Sequence, residues 1–107
     1  MNQNPLLKLL RSSTQTYPLY SKEDCDNPLI LAKLFNIAWA GTWYITEYDE
    51  AIWIAFGYVT GLFVDEWGYI DINELFQLKW LWIYCIEFDR YFKPIPYKDF
   101  IKTQSEM

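Results

Sequence analysis

From Thr42 to Asp49, polar and apolar positions alternate along the chain. Thr42, Tyr44, Thr46 and Tyr48 fall on one side, and Trp43, Ile45 and Glu47 on the other. That is the period of a β-strand with unlike faces. Asp49-Glu50 interrupts it as a tight acidic turn, and the alternation resumes to Val59 with Ile52, Ile54, Phe56 and Tyr58 on one side. Gly57, Gly61 and Gly68 mark bulges, turns or close backbone approaches, and a third strand starts before Tyr69. This stretch organises the remaining elements.

At the N-terminus, Asn4 and Pro5 suit the N-cap and first position of a helix. Leu6, Leu9 and Leu10 share one side of it, and it ends near Ser12 and Ser13. A polar loop with turn chemistry at Asp26, Asn27 and Pro28 follows. Leu29 to Phe35 is apolar but for Lys33, as in a central strand. Past Tyr69 the period changes. Asp71 with Glu74 three residues on gives a capping-box start to a short helix carrying Leu75, Phe76 and Leu78. Trp80 to Phe92 alternates again, with Trp82, Tyr84, Ile86 and Phe88 on one face. Pro94 and Pro96 close this strand, and Tyr97 to Lys102 forms a last helical turn. The expected fold is α+β: an antiparallel sheet of four to five strands with two to three short helices. One domain is expected, with an ordered core of about residues 5–101.

Composition sharpens this picture. The 107 residues include 22 aromatics, more large rings than so small a domain can hide. Some rings must therefore reach the surface, where contiguous aromatic patches mark interfaces. Charge is uneven: Glu23 to Glu74 carries ten carboxylates against Lys33 alone, within a net charge of −5. Such a middle repels phosphate backbones and favours a basic protein partner; a merely solvated acidic face is the plainer alternative.

Cys25 and Cys85 lie in unlike surroundings, with no CxxC pair and no histidine in the chain. Free thiols in a reducing cytoplasm follow. No stretch has the length of a membrane span or the pattern of a signal peptide. A cytoplasmic protein that does not enter the membrane is expected.

Several short segments recur here in a definite order. They are Leu19 to Ser21 (LYS), Ala32 to Phe35 (AKLF), Thr42 to Asp49 (TWYITEYD), Phe56 to Gly61 (FGYVTG), Glu66 to Ile70 (EWGYI), Asn73 to Leu75 (NEL) and Asp89 to Pro94 (DRYFKP). In that order and spacing the chain resembles the bacterial domain-of-unknown-function family 2958, over about Leu6 to Ile101. The resemblance implies a small stand-alone protein of the kind often carried on plasmids, phages and integrative elements. It brings no established catalytic residues. The chain departs from the family pattern at Lys79 to Cys85 (KWLWIYC), where relatives tend to have a Gly/Pro-containing loop. It departs again at Phe88, where they tend to have Arg.

Chemistry finds little purchase. Without histidine there is no Ser-His or Cys-His dyad and no ordinary zinc site. The glycines lack the spacing of a phosphate loop. Glu47 with Asp49 could hold a hard cation or act as acid and base, but acids at turns are usually only solvated. No catalytic residue, metal or cofactor is therefore assigned, and the chain is expected not to be an enzyme. The leading expectation is an interaction protein of a mobile element that binds, and blocks, a basic host protein such as a nucleic-acid-handling or defence component. Its contacts would be Glu47, Asp49, Glu50, Asp65 and Glu66, with Tyr48 and Trp67 as anchors. An aromatic sheet platform for single-stranded nucleic acid (Trp43, Trp53, Tyr58, Trp67, Tyr69, Trp80 and Trp82, with basic Arg90, Lys93, Lys98 and Lys102) is the second reading. A carboxylate- or metal-dependent enzyme is the third. Homodimerisation through an unpaired strand edge is compatible with all three.

Overall fold

A computed structural model describes residues 5–14 and 27–105. In chain order they form α1 (Pro5–Thr14), β1 (Leu29–Ile30), β2 (Ala32–Asn36), β3 (Thr42–Asp49), β4 (Ile54–Thr60), β5 (Glu66–Asp71), α2 (Ile72–Phe76), β6 (Lys79–Trp80), β7 (Ile83–Tyr84), β8 (Ile86–Phe88), β9 (Ile95–Pro96) and α3 (Tyr97–Ser105). The main sheet has five antiparallel strands in the order β5-β4-β3-β2-β8. Strands β2 to β5 form a meander; α2 and the small β6-β7 hairpin then return the chain to the opposite edge as β8. With its three helices, this is the α+β arrangement expected.

Register sorts the side chains onto two faces. The first face carries Ala32, Leu34, Trp43, Ile45, Ala55, Ile70 and Ile86, and α1 and α2 cover it with Leu10, Ile72, Leu75 and Phe76. Full burial of a side chain such as Leu10 stabilises the fold by ~1.5–3 kcal/mol. On α1 it is Leu6, Leu7 and Leu10 that dock, rather than Leu6, Leu9 and Leu10. The proposed cap Asn4 and the loop around Cys25 lie outside the described residues. On the second face Tyr44 packs with Ile30 and Phe100, which brings α3 down onto the sheet. The orphan donors at the start of α3 are met from far along the chain: Asn27 Oδ1 accepts from the Lys98 N–H at 2.8 Å and the Pro28 carbonyl from Tyr97 N–H at 2.9 Å.

β3 departs from simple alternation. Ile45 pairs with Gly57 but Glu47 with Phe56, so Thr46 is an extra residue in a β-bulge. Its hydroxyl donates to the Phe56 carbonyl at 3.1 Å. Gly57 makes room for the kink, because a Cβ there would sit 2.2 Å from the Tyr44 carbonyl oxygen. Beyond the bulge the faces exchange, and Tyr48 joins Trp43 and Ile45 in the first-face core instead of following Tyr44.

Two expected strands are broken. Leu29 to Phe35 divides at Leu31 into β1, which pairs with β9, and β2. The continuous strand read from Trp80 to Phe92 is instead the β6-β7 hairpin followed by β8. Trp82 and Tyr84 are exposed while Cys85 and Ile86 are both buried, so the predicted shared face does not form. Asp71 caps α2 as expected, its Oδ1 accepting from Glu74 N–H at 3.1 Å.

Candidate interaction surface

The sheet has two chemically different ends. One carries the β3-β4 turn and the start of α2; the other carries the β2-β3 connection (37–41), the β4-β5 loop (61–65) and the β6-β7 hairpin. β4 separates them by its seven residues, about 20 Å at strand rise.

Carboxylates gather at the turn end. Asp49 Oδ1 accepts from Ala51 N–H at 2.9 Å and shapes the turn. Glu50 is exposed, with Oε2 3.4 Å from Arg11 Nη1. Asp71, the α2 cap, stands at the same end, in register with Asp49 across Ile54, and Glu74 follows in the first turn of α2. Asp65 and Glu66 are at the other end, where Asp65 Oδ1 accepts from Gly61 N–H at 3.1 Å. The structure therefore does not bring Asp49 and Glu50 together with Asp65 and Glu66.

Three further expected contacts are corrected. Glu47 is completely buried (0 % exposed), on the second face beyond the bulge, where it has interaction partners. Tyr48 is 7 % exposed because the bulge turned it inward. Burial raises its phenol to about 12, with Glu50 and Asp49 adding to the shift. Neither residue can serve as a surface contact. Trp67 is half-buried, lying flat on Phe56 (5.7 Å between centroids, 11° between planes) and edge-on to Tyr97 (4.8 Å). Its ring helps seat α3 rather than standing free as an anchor. Tyr58 packs in the same group, and its phenol is raised by burial, with Tyr97 and Asp65 contributing. Among the described residues no set of three or more acidic or Cys side chains is arranged to hold a metal ion.

The other end is apolar. Ten of the fourteen exposed large hydrophobics among the described residues lie on its three segments: Ile37 and Trp39, then Leu62, Phe63 and Val64, then Trp80 through Tyr84. The segments are neighbours. Ile37 N–H donates to the Cys85 carbonyl at 2.9 Å, and Gly61 lies against Gly41 closely enough that a Cβ on it would be 3.3 Å from the Gly41 nitrogen. Trp80 and Trp82 had been singled out in the sequence; Trp39, Leu62, Phe63, Val64 and Leu81 had not. For Leu62, Phe63 and Val64 the signal was three consecutive apolar residues between Gly61 and Asp65, where a turn is ordinarily polar.

The hairpin turn is unusual in a second respect. Lys79 pairs with Tyr84 and Trp80 with Ile83, leaving a two-residue loop of Leu81 and Trp82. Such loops favour Asn-Gly or Gly, whose backbones accept positive φ. Here Leu81 takes φ 60° and Trp82 is 78 % exposed, so the turn holds two large apolar side chains in water against its own local preference.

Fold and surface together define a small α+β protein with an open antiparallel sheet, helices on both faces and an apolar rim at one end. The family model described as protein of unknown function (DUF2958) matches residues 3–104, and the chain belongs to that family. No curated protein and no solved structure matches the chain. Among the described residues, no helix is long and apolar enough to cross a membrane.

Proposed function

We propose that the chain is a non-enzymatic interaction protein, the product of a mobile element, that occupies and blocks a protein presenting an apolar pocket bordered by basic residues. The observation that carries this reading is the apolar rim, with Phe63 and Val64 running directly into the acidic pair Asp65-Glu66. Exposed aromatics and aliphatics supply binding energy once desolvated. The adjoining carboxylates and the net charge of −5 select a basic border and speed encounter. Leu81 supports the same reading, since backbone strain at an exposed apolar turn points to a role other than stability. The contact set in this reading lies at the end opposite the β3-β4 turn and includes Asp65 and Glu66.

The test compares capture of partners by the native chain with capture by surface variants, read by mass spectrometry and then by titration of the recovered protein. Phe63→Asp with Trp82→Asp, and separately Asp65→Lys with Glu66→Lys, are expected to weaken binding at least roughly tenfold. Asp49→Lys with Glu50→Lys, at the far end, should leave it unchanged. Loss of binding only in the far-end variant would place the surface at the turn. A native homodimer that Phe63→Asp dissociates would show that a second copy covers the rim, and the heterologous partner would be abandoned.

A further inference from the structure

Beside the rim, on the second face at the β2-β8 edge, lies a groove of about 580 Å³. Phe35 and Thr42, paired across β2 and β3, form its floor. The connection bearing Trp39 makes one wall and the turn Asp89–Tyr91 the other. Both walls are set by backbone hydrogen bonds. Asn36 Oδ1 accepts from Ala38 and Trp39 N–H, each at 2.9 Å. Asp89 Oδ1 accepts from Tyr91 N–H at 2.9 Å, and Asp89 N–H donates to the Lys33 carbonyl at 3.0 Å. The backbone at Trp39 and Tyr91 is thus fixed by these turns, and their rings remain 68 % and 92 % exposed, open to a ligand.

We infer that this groove is a binding site for a mononucleotide, its base stacked on Trp39 and Tyr91 and its phosphate held by Arg90 and Lys33. The volume falls within the ~300–1,000 Å³ of small-molecule sites. Exposed rings beside cations are what a base and its phosphate require: stacking tolerates any base, and the guanidinium fork fits phosphate oxygens. Two cations face one carboxylate in the lining. That carboxylate, Asp89, is itself partly engaged, its Oδ2 3.9 Å from Lys33 Nζ. A single nucleotide, rather than a strand, suits the charge. The whole chain carries −5 and Glu87 pairs directly with Phe35 of the floor, which opposes an extended polyanion.

Isothermal titration of the full chain with AMP, adenosine, inorganic phosphate and a short oligoadenylate tests the site. AMP is expected to bind more tightly than adenosine or phosphate alone. Arg90→Ala should erase the AMP-over-adenosine preference. Tyr91→Ala should weaken both ligands roughly tenfold. Asp89→Asn should tighten AMP by removing the opposing charge, an effect that a purely structural role for Asp89 would not produce. Phe63→Asp, on the rim, should leave AMP binding unchanged. Absence of AMP binding at millimolar concentration, equal binding of adenosine, or insensitivity to Arg90→Ala and Tyr91→Ala each overturns the assignment. Oligoadenylate binding tighter than AMP, with steep salt dependence, would replace the mononucleotide by a nucleic-acid strand.

Discussion

Tyr48 shows what one inserted residue does to a side chain. Thr46 takes up the bulge, Tyr48 turns inward, and its phenol rises to about 12. In the unfolded chain the same group releases its proton near its ordinary value of about 10. Between those values the unfolded state binds fewer protons than the folded one, so stability is intact below about pH 10 and falls as pH rises toward 12. Tyr44, raised by burial and by Asp89, acts in the same direction. Urea unfolding at pH 9 and pH 11.5 should show native stability declining over this window, with Tyr48 accounting for on the order of 2 kcal/mol. Tyr48→Phe should decline less; an equal decline would remove Tyr48 from the explanation. Glu47 and Glu50 form a second contrast, three residues apart and both acidic. Glu47 is fully enclosed, whereas Glu50 shares one exposed ion pair with Arg11. Glu47→Ala is expected to cost ~2–4 kcal/mol, through a cavity and unmet polar groups. Glu50→Ala should stay within ~1 kcal/mol. Similar costs in chemical denaturation would contradict the placement of Glu47.

At the scale of elements, those written in local chemistry were legible and those needing a distant partner were not. The α2 start was readable because an Asp three residues before a Glu marks an N-cap, and the Asp71 side chain does accept from Glu74 N–H. β3 and β4 were readable because both alternate, but the turn between them is residues 50–53 rather than Asp49-Glu50: Asp49 ends β3, β4 starts only at Ile54, and Ile52 lies exposed in the turn. The strand expected across Trp80 to Phe92 was not, because its alternation continues straight through a hairpin turn that lacks Gly and Asn. In that turn Leu81 adopts positive φ, a conformation costing an L-residue roughly 1–2 kcal/mol. Leu81→Gly should leave stability unchanged or raise it by up to ~1 kcal/mol, while weakening partner capture at the rim. A thermal melt that moves downward would mean that the leucine stabilises the hairpin and that the turn carries no functional compromise.

On the scale of the whole molecule, the acidic and aromatic features that sit together in the sequence are pulled apart. Reversing over residues 50–53 sends the chain back along β4, so Asp65 and Glu66 emerge at the opposite end from Asp49 and Glu50, which precede them by sixteen positions. The aromatics divide likewise: Trp43 enters the first-face core, Trp67 seats α3, and Trp39, Trp80 and Trp82 stand at the rim. Of the expected contacts, only Asp65 and Glu66 adjoin that rim.

The amino-acid order alone was enough for the α+β class, the central hairpin, the capped α2 and an excess of rings that had to reach water, because periodicity, capping and turn chemistry act over a few residues. Only the tertiary structure decided that Glu47 is enclosed, that Tyr48 faces inward, and that Trp39, Phe63 and Trp82 gather at one end. Those outcomes depend on a one-residue bulge and on which distant segments cover each face, and neither leaves a local trace in the pattern of polar and apolar positions.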